Sequence, residues 1–207
     1  MIGLLPEIII LDYGLGNLRS VEKAIEKVGG APKITSDPKD MRGADGVVLP
    51  GVGAFRDAQA NLSKLASVLL EQVEAKKPLL GICLGLQLLF TESTEGGTYK
   101  GLDIIRGRVV RFPGGLKVPH MGWNTLRIVD KDCPLIQGVD SDAYVYFVHS
   151  YYGAVETARG VVAETEYGVT FPSIVSKGNV YATQFHPEKS GGMGLRILKN
   201  FVDIVRR

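Results

Sequence analysis

The fold is decided by residues 79–90, which read Leu79-Leu80-Gly81-Ile82-Cys83-Leu84-Gly85-Leu86-Gln87-Leu88-Leu89-Phe90. The pattern predicts a buried strand over residues 78–83, a sharp corner at Cys83, and a helix over residues 84–90. Small residues two positions either side of such a corner relieve crowding, as in the nucleophile elbow of hydrolases. Cys83 would then project its sulfur from the carboxyl edge of a sheet, where the helix N-terminus favours the thiolate. The alternative is a small buried side chain.

Strand and helix patterns alternate before this corner and give way to strands after it. Strands are predicted over residues 7–12, 32–35 and 46–49, and helices over residues 18–28 and 54–76. Beyond about residue 96, closely spaced strands are predicted over residues 104–112, 125–129, 144–151, 160–166, 173–175 and 179–183. Glycines over residues 191–194 loosen the chain before a final helix over residues 195–205. We therefore predict an α/β fold with a mostly parallel, twisted central sheet between helices, and an additional β-rich portion.

Length, composition and charge limit the classes of protein to which this chain can belong. The 207 residues, 45% of them apolar and 22% charged, suit one folded domain over residues 1–207. A formal net charge of +2 without like-charge blocks argues against nucleic acid as a partner. No apolar run is long enough to cross a membrane, and the start, residues 1–11, is predicted to be a first strand and not a signal peptide. The two cysteines favour a reducing cytoplasm, with a disulfide between them as the open alternative.

A histidine and a carboxylate follow the last predicted strand. The sequence Gln184-Phe185-His186-Pro187-Glu188 ends that strand. An imidazole can accept the thiol proton and return it to a leaving amine, and a carboxylate two residues on can orient the ring. Parallel strands bring their carboxyl ends to a common edge, so we expect His186 and Glu188 to lie near Cys83. The alternative is a solvated turn.

A glycine-bracketed loop follows the third predicted strand. Pro50-Gly51-Val52-Gly53 separates this strand from the long helix. Backbone N–H groups of Gly51, Val52 and Gly53, with that of Leu84 after the nucleophile, are predicted to form an oxyanion hole. An ordinary strand-to-helix turn is the alternative.

These three motifs, in this order, resemble the class I (triad) glutamine amidotransferases. The resemblance implies hydrolysis of L-glutamine through a cysteine thioester, with Cys83, His186 and Glu188 as the triad. It covers essentially the whole chain, and the triad positions show no departure from the family pattern.

Within that family the chain resembles the glutaminase subunit of imidazole glycerol phosphate synthase, from histidine biosynthesis. The features that carry this likeness are the starting segment Asp12-Tyr13-Gly14-Leu15-Gly16-Asn17-Leu18, the loop Pro50-Gly51-Val52-Gly53, and Pro119-His120-Met121-Gly122-Trp123-Asn124. The likeness implies glutamine contacts from Gln87, Glu95, His149, Ser150 and Tyr151.

The same resemblance implies a heterodimer with a cyclase subunit, a (β/α)8 barrel that receives ammonia. The implied interface residues are Asn17, Met121, Trp123, Asn124 and Lys189. A core position for Trp123 and a merely solvated Lys189 are the alternatives. A family-level hypothesis is that the Val52 peptide rotates to complete the oxyanion hole, under control of the partner's ligand.

Three other functions remain open from the residues. The chain could serve vitamin B6 biosynthesis in pyridoxal phosphate synthase or act with another synthase, it could be a stand-alone cysteine hydrolase, or it could be a catalytically silent binding module. The three histidines, His120, His149 and His186, are not paired at metal-ligand spacing, so neither a metal nor another cofactor is predicted.

Overall fold

The structure, a computed structural model, describes residues 5–207, and residues 1–4 of the predicted first strand lie outside the described residues. The part of the chain before the corner alternates strands and helices. In chain order these are β1 (Glu7–Leu11), α1 (Leu18–Lys27), β2 (Ala31–Thr35), α2 (Pro38–Gly43), β3 (Gly46–Leu49), α3 (Phe55–Glu74), β4 (Leu79–Ile82) and α4 (Leu84–Leu88). Strands β1, β3 and β4 are almost entirely buried, which explains their continuous apolar sequences.

The remainder is rich in strands, as predicted. Its elements are β5 (Phe90–Ser93), β6 (Tyr99–Lys100), β7 (Ile105–Arg111), β8 (His120–Thr125), β9 (Arg127–Ile128), β10 (Tyr144–His149), β11 (Tyr151–Val155), β12 (Val161–Glu166), β13 (Thr170–Lys177), β14 (Val180–Thr183) and α5 (Gly191–Val205). Short 3₁₀ turns cover Pro134–Ile136 and Pro187–Lys189.

The central sheet has eight strands in the order β2-β1-β3-β4-β14-β13-β12-β9. The first five are parallel, and β13, β12 and β9 continue the sheet in antiparallel pairings. Strands β8 and β10 form a separate antiparallel ribbon, and β11, β7, β5 and β6 form a third sheet. The parallel pairing of β14 with β4 brings the two predicted catalytic segments to one edge. The predicted α/β architecture is confirmed.

Hydrophobic clusters cover both faces of the central sheet. One joins alternate strand residues such as Ile10 and Ile82 to α1 and α5, and the other joins Leu49 and Leu79 to α3 and α4. Cys133 is buried in the first cluster, which agrees with a structural thiol. Within residues 5–207 both cysteines are free, so the alternative of a disulfide is wrong.

Several predicted boundaries are wrong for reasons of long-range pairing. Helix α4 ends at Leu88, and Phe90 begins β5, because the Leu88 and Leu89 carbonyls accept hydrogen bonds from Leu102 and Ile104. The strand predicted over residues 144–151 is two strands, since β10 pairs with β8 and β11 pairs with β7. The strand predicted over residues 125–129 is replaced by β8 and β9, which pair with different partners.

Two helices also differ from the predictions. Helix α2 was not predicted, although Asp37 accepts a hydrogen bond from the Lys39 N–H and Pro38 occupies the first turn, a recognisable helix start. Helix α5 begins at Gly191, not at residue 195. A Cβ on Gly194 would lie 2.0 Å from the Pro187 carbonyl oxygen, so the glycine allows the helix to pack closely on the turn at Pro187–Lys189.

Candidate active site

Cys83 occupies a strained corner between β4 and α4. Its backbone has φ 55° and ψ −107°, a region that non-glycine residues rarely adopt. The Cys83 N–H donates to the Thr183 carbonyl at 2.8 Å, which ties the corner to the end of β14. The predicted corner is therefore confirmed. Helix α4 has only five residues and is shorter than the helix predicted over residues 84–90.

The flanking glycines are required by close backbone approach. A Cβ on Gly85 would lie 1.9 Å from the Leu49 carbonyl oxygen, and one on Gly81 would lie 3.0 Å from the Gly85 carbonyl oxygen. No side chain fits the first of these contacts. The spacing that identified the corner in the sequence thus reflects the crowding around it.

His186 and Glu188 lie in the turn that follows β14. His186 Nδ1 and Glu188 Oε1 are 2.8 Å apart, and the two side chains are only 3% and 1% exposed. The alternative of a solvated turn is therefore wrong. The backbone holds the ring in place, because the His186 N–H donates to the Tyr146 carbonyl at 3.0 Å and Ser190 Oγ donates to the His186 carbonyl at 2.6 Å.

The surroundings of His186 favour its charged form. Burial lowers the pKa of the imidazole, but the neighbouring Cys83 and Glu188 together outweigh burial and raise this pKa from its ordinary 6.5 to about 10. Within the described chain, the buried His186 Nε2 and Glu188 Oε2 have no hydrogen-bond partner. Nδ1 faces the carboxylate, so Nε2 is the nitrogen left for chemistry.

Cys83 and His186 line one cavity of about 360 Å³. Val52, Gly53 and Leu84 from the predicted oxyanion hole also line this cavity. All five predicted glutamine contacts line it as well: Gln87, Glu95, His149, Ser150 and Tyr151. Of the predicted oxyanion-hole residues, Gly51 does not line the cavity. It packs closely against Tyr13 and Leu84, since a Cβ on Gly51 would lie 2.5 Å from the Tyr13 hydroxyl oxygen.

The loop at Pro50–Gly53 is anchored on one side and open on the other. The buried Tyr13 hydroxyl donates to the Pro50 carbonyl at 2.7 Å, and burial raises the pKa of this phenol, which keeps it a donor. Val52 is 38% exposed, and Gly53 has φ +102°. Glu95 Oε2 accepts a hydrogen bond from the Phe55 N–H at 2.8 Å, so the carboxylate lies at the first turn of α3.

Gln184 is a polar contact of the nucleophile to which the sequence interpretation gave no role. Its Nε2 lies 3.8 Å from Cys83 Sγ, and its Oε1 accepts from Gln87 Nε2 at 3.2 Å. The Val148 carbonyl also contacts Sγ, at 3.9 Å. The sequence feature that could have identified it is a polar residue that directly follows a buried strand and stands two positions before the predicted base.

The five predicted interface residues differ in exposure. Met121 and Trp123 are 62% and 55% exposed on β8, so a core position for Trp123 is wrong. Lys189 is exposed, and Asn17 is partly exposed at the start of α1. The Asn124 side chain turns inward and bonds to His120 and to the Glu166 carbonyl.

Two further features of residues 5–207 bear on function. They contain no cluster of three or more histidine, cysteine or acidic side chains able to hold a metal ion. No helix in this part of the chain has the length and apolar character needed to span a membrane.

Comparison with known proteins identifies the family. Residues 9–205 match the family described as glutamine amidotransferase class-I. The chain belongs to the class-I glutamine amidotransferases. The resemblance to this family that the three motifs carry is thereby confirmed.

Within this family, the chain is similar in sequence to several proteins that share one name. The chain is 55% identical to the imidazole glycerol phosphate synthase subunit HisH of Methanosarcina acetivorans, over 97% of this chain and 100% of that relative. It is 57% identical to the subunit of the same name from Syntrophotalea carbinolica, over 95% and 100% of the two chains. The HisH of Archaeoglobus fulgidus is 54% identical over 97% and 100%.

Solved structures support the fold alone. PurLQS of Thermotoga maritima superposes with a TM-score of 0.78 at 19% identity, over 97% of this chain and 99% of that chain. A structure described as a glutamine amidotransferase gives a TM-score of 0.75 at 20% identity, over 96% and 99%. The central sheet and its flanking helices are therefore those of this amidotransferase family.

Proposed function

We propose that this protein is the glutaminase subunit of an imidazole glycerol phosphate synthase, acting in the cytoplasm as one domain over residues 1–207. It hydrolyses L-glutamine to glutamate and ammonia and passes the ammonia to a synthase subunit for histidine biosynthesis. The observation that carries this proposal is identity above 50% to HisH subunits over the full length of those relatives.

The triad chemistry rests on the cavity shared by Cys83 and His186. The Cys83 thiolate attacks the carbon of the substrate's side-chain amide, and the C–N bond breaks as His186 donates a proton to the leaving ammonia. His186 then takes a proton from water, which attacks the thioester carbon, and the C–S bond breaks to release glutamate. Glu188 orients the imidazole and stabilises its charged form.

The oxyanion hole is assigned to the backbone N–H groups of Val52 and Leu84. Leu84 directly follows the nucleophile, and Val52 lines the same cavity. Gly51 and Gly53 flank Val52 and permit the rotation of its peptide, which we assign to control by the partner's ligand. The exposure of Val52 leaves room for this motion.

Substrate contacts follow from which polar atoms are still free. Both N–H groups of the Gln87 amide are engaged, with Tyr151 and Gln184, so only its Oε1 is left for the substrate. Glu95 uses one oxygen at α3 and offers the other to the substrate's ammonium group. Both ring nitrogens of His149 are bonded, so its proposed contact uses the main chain, beside that of Ser150.

The proposed partner is a (β/α)8 cyclase subunit that docks over the cavity to form a heterodimer. Support comes from the exposed Met121 and Trp123, which give the β8–β10 ribbon the aromatic and methionine content of interface cores. Lys189 and Asn17 complete the proposed contact surface, and the inward Asn124 acts through the ribbon. Ammonia then reaches the partner without passing through bulk water.

The test is glutamine hydrolysis with and without the cyclase subunit and its phosphorylated ligand, for wild type, Cys83→Ala and Cys133→Ala. We expect loss of activity for Cys83→Ala only, and strong activation of the wild type by the liganded complex. The Cys133 variant is the matched control, because it removes the other buried thiol. Ammonia transfer to a pyridoxal phosphate synthase subunit, or rapid hydrolysis without any partner, would contradict the proposed role.

A further inference from the structure

A pair of buried histidines lies beside the cavity and takes no part in the proton transfers described above. His120 Nδ1 is 3.0 Å from His149 Nε2, and the two residues face each other across the β8–β10 ribbon. Asn124 Nδ2 is 3.2 Å from His120 Nε2. At the other end, His149 Nδ1 is 2.8 Å from the Tyr151 carbonyl oxygen.

The donor and acceptor in each of these contacts can be assigned. A carbonyl oxygen only accepts, so His149 Nδ1 carries a proton towards Tyr151. Burial lowers the pKa of His120 to about 4 and that of His149 to about 3, so both rings are neutral at physiological pH. The Nε2 of neutral His149 therefore accepts from His120 Nδ1, and His120 Nε2 accepts from Asn124.

At the Asn124 end of this series of hydrogen bonds, the orientation of the side-chain amide is fixed. Asn124 Oδ1 accepts from the Thr125 N–H at 2.8 Å, which identifies the opposite side of the amide as the NH₂ group. One of its hydrogens reaches the Glu166 carbonyl at 2.9 Å, and the other is left for His120. Each hydrogen bond therefore has an assigned donor, from Asn124 through His120 and His149 to the Tyr151 carbonyl.

The inner end reaches the nucleophile. The Tyr151 carbonyl also accepts from Gln87 Nε2 at 2.9 Å, and the second Gln87 N–H donates to Gln184 Oε1 at 3.2 Å. This leaves the NH₂ group of Gln184 facing Cys83 Sγ at 3.8 Å. This N–H donates to the sulfur of the nucleophile and helps to hold it in one position.

We propose that Asn124, His120 and His149 form a one-directional hydrogen-bond relay that holds the Tyr151 carbonyl and, through Gln87, aims the Gln184 amide at the Cys83 sulfur. These three are positioning residues, since none touches the reacting atoms. The inference rests on the proposed function for Cys83 as the nucleophile. It adds a link between the inner face of the ribbon and thiol reactivity.

The first test reads the relay directly by NMR. The chain has only three histidines, so the ring nitrogens of each can be assigned in a ¹⁵N-labelled sample of the full chain. At neutral pH we expect both His120 and His149 to be neutral and protonated at Nδ1. A proton on Nε2 of either ring, or a charged ring, would overturn the assigned direction.

The second test measures the rate at which iodoacetamide alkylates Cys83, followed on the peptide that contains it. His120→Phe keeps a ring but removes the donor to His149, and we expect alkylation to slow by about tenfold, the weight of one buried hydrogen bond. His120→Asn retains an N–H near the position of Nδ1 and should restore the rate to within about twofold of wild type. In glutamine hydrolysis the same loss should appear in kcat.

Phe112→Leu is the matched packing control. Phe112 contacts both rings, with centroids 6.1 Å from His120 and 5.2 Å from His149, but takes no part in the relay. Its loss should leave Cys83 alkylation unchanged. Equal rates for wild type and His120→Phe, or equal slowing by Phe112→Leu, would overturn the proposal. Because alkylation needs neither glutamine nor a partner, a wild type that fails to hydrolyse glutamine would refute the proposed function alone.

Discussion

Two regions of the molecule bury histidines with opposite effects on their pKa. At the end of β14, His186 is 2% exposed and its pKa is raised to about 10. In the β8–β10 ribbon, His120 and His149 are 4% and 6% exposed, and their pKa values are lowered to about 4 and about 3. Burial lowers the pKa in all three cases, so burial alone cannot explain the difference.

The difference lies in the neighbouring groups. His186 faces a carboxylate and a thiol, whereas the ribbon histidines face each other, a carbonyl and an amide. Negative partners stabilise the imidazolium, and neutral partners do not compensate for its lost hydration. One region thus holds a proton that can be transferred, and the other holds protons in fixed positions.

The largest expected effect comes from replacing the charged histidine. We expect His186→Asn to lower kcat for glutamine by on the order of 10³-fold or more, because the general acid and base is removed. His120→Asn, the same substitution in the ribbon, is the control and should stay within a few-fold of wild type. Steady-state glutaminase assays of the activated complex measure both. Similar losses for the two variants would erase the proposed distinction between the regions.

A smaller loss is expected when only the charge beside His186 is removed. Glu188→Gln keeps an oxygen near Nδ1 but removes the negative charge, so one of the two groups that raise the pKa of His186 is lost and this pKa should fall below about 10. We expect kcat to fall by about 10²-fold. An NMR titration of the His186 ring measures the pKa, with Glu166→Gln on the exposed surface as the control. An unchanged pKa would show that Cys83 alone sets it.

The ribbon histidines should make the protein sensitive to acid. Their folded-state pKa values lie below 6.5, so the unfolded chain binds more protons between pH 6.5 and the folded values of about 4 and about 3. Their contribution is therefore present above pH 6.5 and is lost as the pH falls. We expect the free energy of unfolding to drop by about 2 kcal/mol per histidine between about pH 7 and about pH 5.

Urea unfolding at the two pH values measures this drop. His120→Phe removes one titrating ring and should reduce the drop by about half, even if its stability at neutral pH is lower. His186 cannot produce the acid effect, because its raised pKa gives a contribution that is complete below pH 6.5 and is lost only as the pH rises towards about 10. An equal drop in wild type and variant would contradict the assignment to the ribbon.

The two regions also differ in how far the sequence predicts them. The corner at Cys83 and the segment at His186 and Glu188 could be predicted, because each follows a buried strand whose apolar run is visible locally. Their meeting follows from the parallel pairing of β4 and β14. The close contact of Gly85 with Leu49 further explains why the glycine pattern was informative.

The ribbon could not be predicted in the same way. The contact of His120 with His149 depends on the register of β8 against β10, and neither strand β8 nor the end of β10 at His149 was predicted. The division of the predicted strand at Ser150 depends on the pairing of β11 with β7, and no local sequence pattern predicts that pairing. Asn124 was assigned to the interface, and only the fold reveals that its amide turns towards His120. Long-range pairing, not local propensity, decides all three.

The smallest expected effect concerns the outer face of the same ribbon. Tyr144 begins β10 and is 63% exposed, so Tyr144→Ser should change the free energy of unfolding by less than about 0.5 kcal/mol. Cys83 alkylation should also be unchanged, because the Tyr144 side chain takes no part in the relay that begins at Asn124. Urea unfolding and alkylation of the isolated chain measure both quantities. If this variant slowed alkylation as much as His120→Phe, any disturbance of the ribbon would reach Cys83, and the directed hydrogen bonds on its inner face would have no special role.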